Sequence, residues 1–110
     1  MTYRHQELAA GRWRQLPFLE QMANVGSEVE RALNWRAKHH AAYAERAFER
    51  ALELLDLTLD AAGGLARRKE LARVREALVD YFVGNNGWAS TEHSWKRYFM
   101  AFTYAARRVR

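Results

Sequence analysis

Apolar positions along this chain recur every three or four residues, the spacing of helices that bury one face. After Pro17 the stripe is Phe18, Met22, Val25, Val29 and Ala32. Pro17 suits a first helical position, where its missing N–H is no loss. A second stripe runs through Ala44, Phe48, Ala51, Leu55, Thr58 and Leu59, widened by Leu52 and Leu54. A third turns Leu71, Val74, Leu78, Tyr81 and Phe82 inward, and a fourth carries Trp95, Phe99, Phe102 and Ala106 with Tyr98 alongside. No window alternates apolar and polar residues with β-branched enrichment, so strands are not expected. The pattern predicts helices over about 17–38, 41–61, 65–83 and 91–107, preceded by a basic N-terminal arm over 1–15.

No Gly or Pro separates the first two stripes, so a single helix through both is a real alternative. Their phase argues otherwise. Extending the first stripe by heptads lands on Arg36, His39, Tyr43, Arg46 and Arg50, which are polar where the second helix needs core. The stripe slips by about one residue, roughly 100° around the axis, and a turn is expected near Lys38-His39-His40. Gly63-Gly64 and Gly84-Asn85-Asn86-Gly87 mark the other two breaks, with Gly84 read as a C-cap. Ser90 or Thr91 is read as the cap of the last helix, with Glu92 favourable in its first turn. Gly26 and Ser27 interrupt the first stripe with small side chains, as close approach of a neighbouring helix requires. The expected fold is all-α, a single-domain antiparallel four-helix bundle. The alternative is three long helices with the first two continuous.

Met22-Ala23-Asn24-Val25-Gly26-Ser27-Glu28-Val29, Arg50-Ala51-Leu52-Glu53-Leu54-Leu55-Asp56-Leu57-Thr58, Asp80-Tyr81-Phe82, Tyr98-Phe99 and Ala105-Ala106-Arg107 together resemble a family of small conserved prokaryotic proteins of unassigned function. The resemblance covers most of 13–108 and implies an intact small domain without implying a chemistry. In outline the chain is also loosely similar to HEPN domains, some of which are ribonucleases or nucleotidyltransferase partners. Their ribonuclease motif is Arg, four to six residues, then His. Here Arg36 precedes His39 by two intervening residues and His40 by three, and Arg31 precedes His39 by seven.

Composition narrows the classes. Apolar residues make up 49% of the 110, with four Trp, five Tyr and five Phe, far more than a chain unable to bury a core would carry. No apolar run approaches the roughly 20 residues of a membrane span. The first residues lack the apolar core of a secretory signal, and there is no Cys to form disulfides or bind zinc. A cytoplasmic protein without membrane contact is expected. There is no Glu-x-x-His pair for a di-iron bundle, and Glu45, Glu49 and Glu53 read as a solvated row, so neither metal nor cofactor is expected.

The formal net charge is +5, and 15 of the 18 cations are Arg, the better residue for bidentate phosphate pairing. Residues 39–62 carry five acids and two Arg, while 63–83 carry five cations and three acids. Folding the chain back at Gly63-Gly64 places Asp60 near Arg67 and Glu53 near Arg73. Asp56 and Asp80, bordering the core, are expected to need Arg partners such as Arg75 or Arg31.

Up-down topology sorts the remaining polar residues between two ends. One gathers Arg12, Arg14, Arg67, Arg68, Lys69, Arg107 and Arg108, with Trp13 as a stacking aromatic, a candidate footprint for RNA or DNA phosphates. The other gathers Trp35, Arg36, Lys38, Asn85, Asn86, Trp88 and the catalytic candidates His39, His40 and His93. Aromatics at Tyr98, Phe99, Phe102 and Tyr104 span most of the last helix and suggest a homodimer face. The expected function is a non-enzymatic binding module with polyanion affinity. The alternatives are a HEPN-like RNA-processing or nucleotide-handling enzyme, and a purely protein-binding bundle such as an operon or toxin–antitoxin partner.

Overall fold

Met22, Val25, Val29, Ala32, Leu55, Leu71 and Leu78, drawn from three of the expected stripes, are almost entirely removed from solvent, and Phe48, Trp95 and Phe99 close the same core. The computed structural model describes residues 11–108, and all regular structure among them is helical. The long helices are α1 (Phe18–Ala37), α2 (Ala41–Ala61), α3 (Leu65–Phe82) and α4 (Glu92–Arg108). Residues 11–15 form a further helical stretch ahead of α1. Trp13 within it is 9% exposed and belongs to the core. This part of the expected arm is therefore packed structure, and 1–10 lie outside the described residues.

The chain does turn between α1 and α2, so the continuous-helix alternative is excluded. His39 has φ 62°, and its N–H bonds the Arg36 carbonyl at 3.0 Å while His40 N–H bonds the Trp35 carbonyl at 2.9 Å. These two bonds, with a left-handed residue just past the cap, make a Schellman ending. The Trp35 ring meets His40 edge-on at 5.3 Å, supplying the contact that accompanies such endings. At the second break Gly64 takes φ 148°, a conformation glycine reaches freely. The C-cap of α3 is Val83 rather than Gly84, and the Gly84 N–H donates to the Val79 and Asp80 carbonyls. Thr91 caps α4: its Oγ1 accepts from Ser94 N at 2.9 Å, and Ser94 Oγ accepts from Thr91 N at 2.8 Å. This is a capping box with Ser in the usual Glu position.

Neighbouring helices are joined by specific contacts. Glu28, buried on α1, pairs with Arg31 and reaches Arg50 of α2 at 3.6 Å. Asp56 of α2 pairs with Arg75 of α3 at 2.7 Å, and Phe48 stacks on Phe82 at 4.7 Å. Phe18 of α1 meets Phe102 of α4 at 6.0 Å. Tyr98 of α4 donates to Glu70 of α3 at 2.8 Å. At Gly26 an added Cβ would lie 2.7 Å from Phe99 Cβ, so glycine is what lets α1 and α4 approach here.

Three expected pairings differ. Asp60–Arg67 and Glu53–Arg73 are absent from the ion pairs of the described residues; Arg67 lies instead over the Phe18 ring, 3.9 Å from its centre. Asp80 takes no Arg partner: its Oδ2 accepts the Trp88 backbone N–H at 3.3 Å, tying down the loop before α4. The aromatic excess of α4 is mostly spent inside the molecule. Phe99 is buried, Phe102 and Tyr98 are half-buried, and only Tyr104 and Met100 stand well exposed.

Candidate functional site

The seven basic candidates are all exposed: Arg12, Arg14, Arg67, Arg68, Lys69, Arg107 and Arg108. The ion pairs of the described residues join Glu28 to Arg31 and Arg50, Asp56 to Arg75, and Glu92 to Lys96. None uses a basic candidate. Trp13 positions two of them. Its indole N–H donates to Thr58 Oγ1 at 2.9 Å, and its carbonyl accepts from Gln21 Nε2 at 2.9 Å. Arg12 and Arg14 are thereby held beside the last turn of α2. Arg67 reaches the first residue of α1 through the Phe18 ring, and Phe18 in turn touches Phe102. Arg108 lies over the Tyr104 ring at 5.7 Å, while Arg107 lines a groove between α1 and α4. Trp13, expected as a stacking platform, has its ring in the core and its one donor engaged, so it offers no face to a base.

The start of α3 is electrostatically unusual. It has no acid in its first turn and no side-chain cap, yet Arg67 and Arg68 sit in that turn and Lys69 directly after it. A helix N-terminus repels cations and favours anions by about 0.3–1 kcal/mol per charge. In the free chain these three side chains oppose the local field.

His39 and His40 form the turn between α1 and α2. His39 supplies the left-handed residue after α1, and Trp35, His40 and Tyr43 pack ring on ring, Trp35 and Tyr43 at 4.8 Å. Lys38 lies over Trp35 at 5.4 Å, and Arg36 over Tyr81 at 5.0 Å. Asn86 closes its own loop through Ser90, donating to the Ser90 carbonyl at 2.8 Å and accepting Ser90 N–H at 2.9 Å. His93 is exposed on the first turn of α4, and no hydrogen bond joins it to His39 or His40 among the described residues. No group of three or more His, Asp or Glu suited to a metal occurs among the described residues, and no described helix is long and apolar enough to cross a membrane.

A feature that periodicity did not single out is the α1–α4 groove, about 470 Å³, walled by Val29, Leu33, Trp95, Phe99, Met100 and Tyr104. Ser27, Glu30, Lys96, Thr103 and Arg107 supply its polar groups. Trp95 is 6% exposed, and its buried indole N–H has no acceptor among the described residues. The small pair Gly26-Ser27 was the available signal, because close backbone approach leaves a concavity beside it. No known protein family, curated protein or solved structure matches this chain.

Proposed function

We propose that the chain is a non-enzymatic binding module that engages a polyanion, foremost the phosphate backbone of RNA or DNA, through its basic end. The observation that carries this reading is the set of seven exposed cations left without an acid partner among the described residues, three of them crowded at the uncapped start of α3. The arrangement we infer is an antiparallel four-helix bundle. It is supported by contacts in which residue numbers rise on one helix as they fall on the next: Glu28–Arg50 then Trp35–Tyr43, Phe48–Phe82 then Asp56–Arg75, Tyr81–Trp95 and Glu70–Tyr98. Such a bundle would bring the start of α1, the end of α2, the start of α3 and the end of α4 to one pole, and the seven cations with them.

Binding of this kind is salt-dependent and reads little sequence, because phosphate contacts position a chain without reading bases. Retention of single-stranded RNA should fall as salt rises, with a log–log slope of about −0.7 per phosphate neutralised. The double variant Arg68→Ala/Lys69→Ala should make that slope shallower by about one to two units with the fold intact, since both side chains are exposed. No retention at about 50 mM salt, or an unchanged slope in the variant, would overturn the proposal.

A further inference from the structure

The loop between α3 and α4 places an asparagine directly before a glycine and treats the two in opposite ways. Asn86 is half-buried and its side chain is held at both atoms: Nδ2 donates to the Ser90 carbonyl at 2.8 Å, and Oδ1 accepts the Ser90 N–H at 2.9 Å. Its backbone is bound as well, the N–H to the Asp80 carbonyl at 3.1 Å and the carbonyl to the Ala89 N–H at 3.0 Å. Gly87 is exposed, and its N–H has no hydrogen-bond partner among the described residues. These bonds also hold strain. Asn86 and Ala89 take φ of 53° and 54°, a left-handed conformation that asparagine tolerates and alanine seldom adopts. Such residues persist only where surrounding contacts fix them.

We propose that Asn86-Gly87 is a self-modification site, at which loss of the side-chain amide releases the loop leading into α4. The Gly87 nitrogen attacks Asn86 Cγ, closing a five-membered imide. The Cγ–Nδ2 bond breaks, and ammonia leaves with the proton that Gly87 gives up. Water then opens the imide: addition at Cγ yields aspartate, and addition at the Asn86 backbone carbonyl carbon yields isoaspartate, whose main chain is longer by one methylene. Glycine leaves the attacking nitrogen unshielded, because it has no Cβ. The other asparagines, Asn24, Asn34 and Asn85, precede Val25, Trp35 and Asn86, which do shield it. In the aspartate product a carboxylate oxygen replaces Nδ2 and faces the Ser90 carbonyl, acceptor against acceptor, so a made hydrogen bond becomes an unmade one. The new charge also enters the loop that the Asp80 carboxylate ties down through Trp88 N–H. Ser90 directly precedes Thr91, the cap of α4, so the start of that helix loosens with the loop.

The test is to age the whole chain at mildly alkaline pH, folded and in urea, and to map aspartate and isoaspartate by peptide mass spectrometry. Both products should accumulate at position 86 ahead of Asn24, Asn34 and Asn85. The folded chain should react about thirtyfold more slowly than the unfolded one, because two hydrogen bonds to Ser90 must open first. Gly87→Ala should slow the reaction several-fold in both states without lowering the thermal midpoint. The structure accommodates that methyl group, since Gly87 does not have a positive φ and an added Cβ would meet only Asp80 Oδ2, at 3.8 Å. The aged parent and Asn86→Asp should melt at lower temperature, with the Trp88 and Ser90 amides exchanging about tenfold faster, the loss of one hydrogen bond. Should Asn86→Asp fail to fold, the aged parent supplies the same measurement. Earlier reaction at another asparagine, or equal rates in folded and unfolded chain, would overturn the inference. So would an aged chain whose midpoint and Trp88 and Ser90 exchange match those of the fresh one.

Discussion

Single residues in this chain do work that their neighbours in sequence conceal. Trp13 lies between Arg12 and Arg14, a context that reads as an exposed aromatic among cations. Its burial depends on Thr58, 45 positions away, whose hydroxyl accepts the indole N–H and itself donates to the Leu54 carbonyl at 2.8 Å. No local pattern encodes that partnership. Tyr98 is a second case, read first as part of a dimer face. Burial, then the hydrogen bond to Glu70 and its negative charge, push the phenol well above its ordinary value. The sign follows directly. An unfolded tyrosine loses its proton near pH 10, while the folded one keeps it, so above that pH the native state binds more protons and stability falls as pH rises. The contribution of Tyr98 is fully present below about pH 10 and is lost as pH climbs toward the folded value. Tyr98→Phe should cost about 1 kcal/mol at pH 7, the worth of a typical hydrogen bond, and lose stability less steeply than the parent between about pH 10 and 11. Urea unfolding across that range measures both, and parallel curves would refute the assignment.

At the scale of elements, the four stripes of apolar residues were legible because burying one helical face forces the three-and-four spacing. The turn at Lys38–His40 was legible only as a slip in phase, since no Gly or Pro announces it. What makes it is His39, a non-glycine residue with φ 62° in the Schellman position. That conformation costs an L-residue roughly 1–2 kcal/mol, offset here by two carbonyl bonds and by the packing of His40 on Trp35. His39→Gly should therefore stabilise the chain by about 0.5–1 kcal/mol, the strain relieved less the entropy glycine adds to the unfolded state. It should also leave polyanion retention unchanged, because His39 is remote in sequence and contact from the basic candidates. A lowered thermal midpoint would show that the imidazole itself holds the turn. Register between helices was less legible. The Ala62–Gly64 linker, extended at Ala62, changes which residues of α2 and α3 face each other, so Asp56 rather than Glu53 or Asp60 finds the arginine.

For the whole molecule the question is whether the unpaired cations are a cost or a device. A net charge of +5 keeps a chain of this size soluble but repels itself where like charges gather. Arg107 and Arg108 suit the C-terminal end of α4, whereas Arg67, Arg68 and Lys69 oppose the N-terminal end of α3. Helix-end electrostatics thus accounts for two of these five, the Phe18 ring holds Arg67, and Arg68 and Lys69 are left in need of another explanation. A ligand that binds only the folded chain stabilises it by RT ln(1 + [L]/Kd), about 2.7 kcal/mol at one hundred times Kd. Tripolyphosphate, which carries charge but no bases, should accordingly raise the thermal midpoint beyond what sodium chloride of equal ionic strength achieves. The excess should shrink as background salt rises through about 0.15 M, where screening acts over about 8 Å. In Arg68→Ala/Lys69→Ala the baseline midpoint should rise slightly, because two cations that oppose the helix dipole are gone, while the tripolyphosphate increment should fall. The two effects have opposite signs, and a general loss of stability could not produce both. A variant with a lower baseline and an undiminished increment would place the anion elsewhere on the surface and return Arg68 and Lys69 to the role of solvated charges.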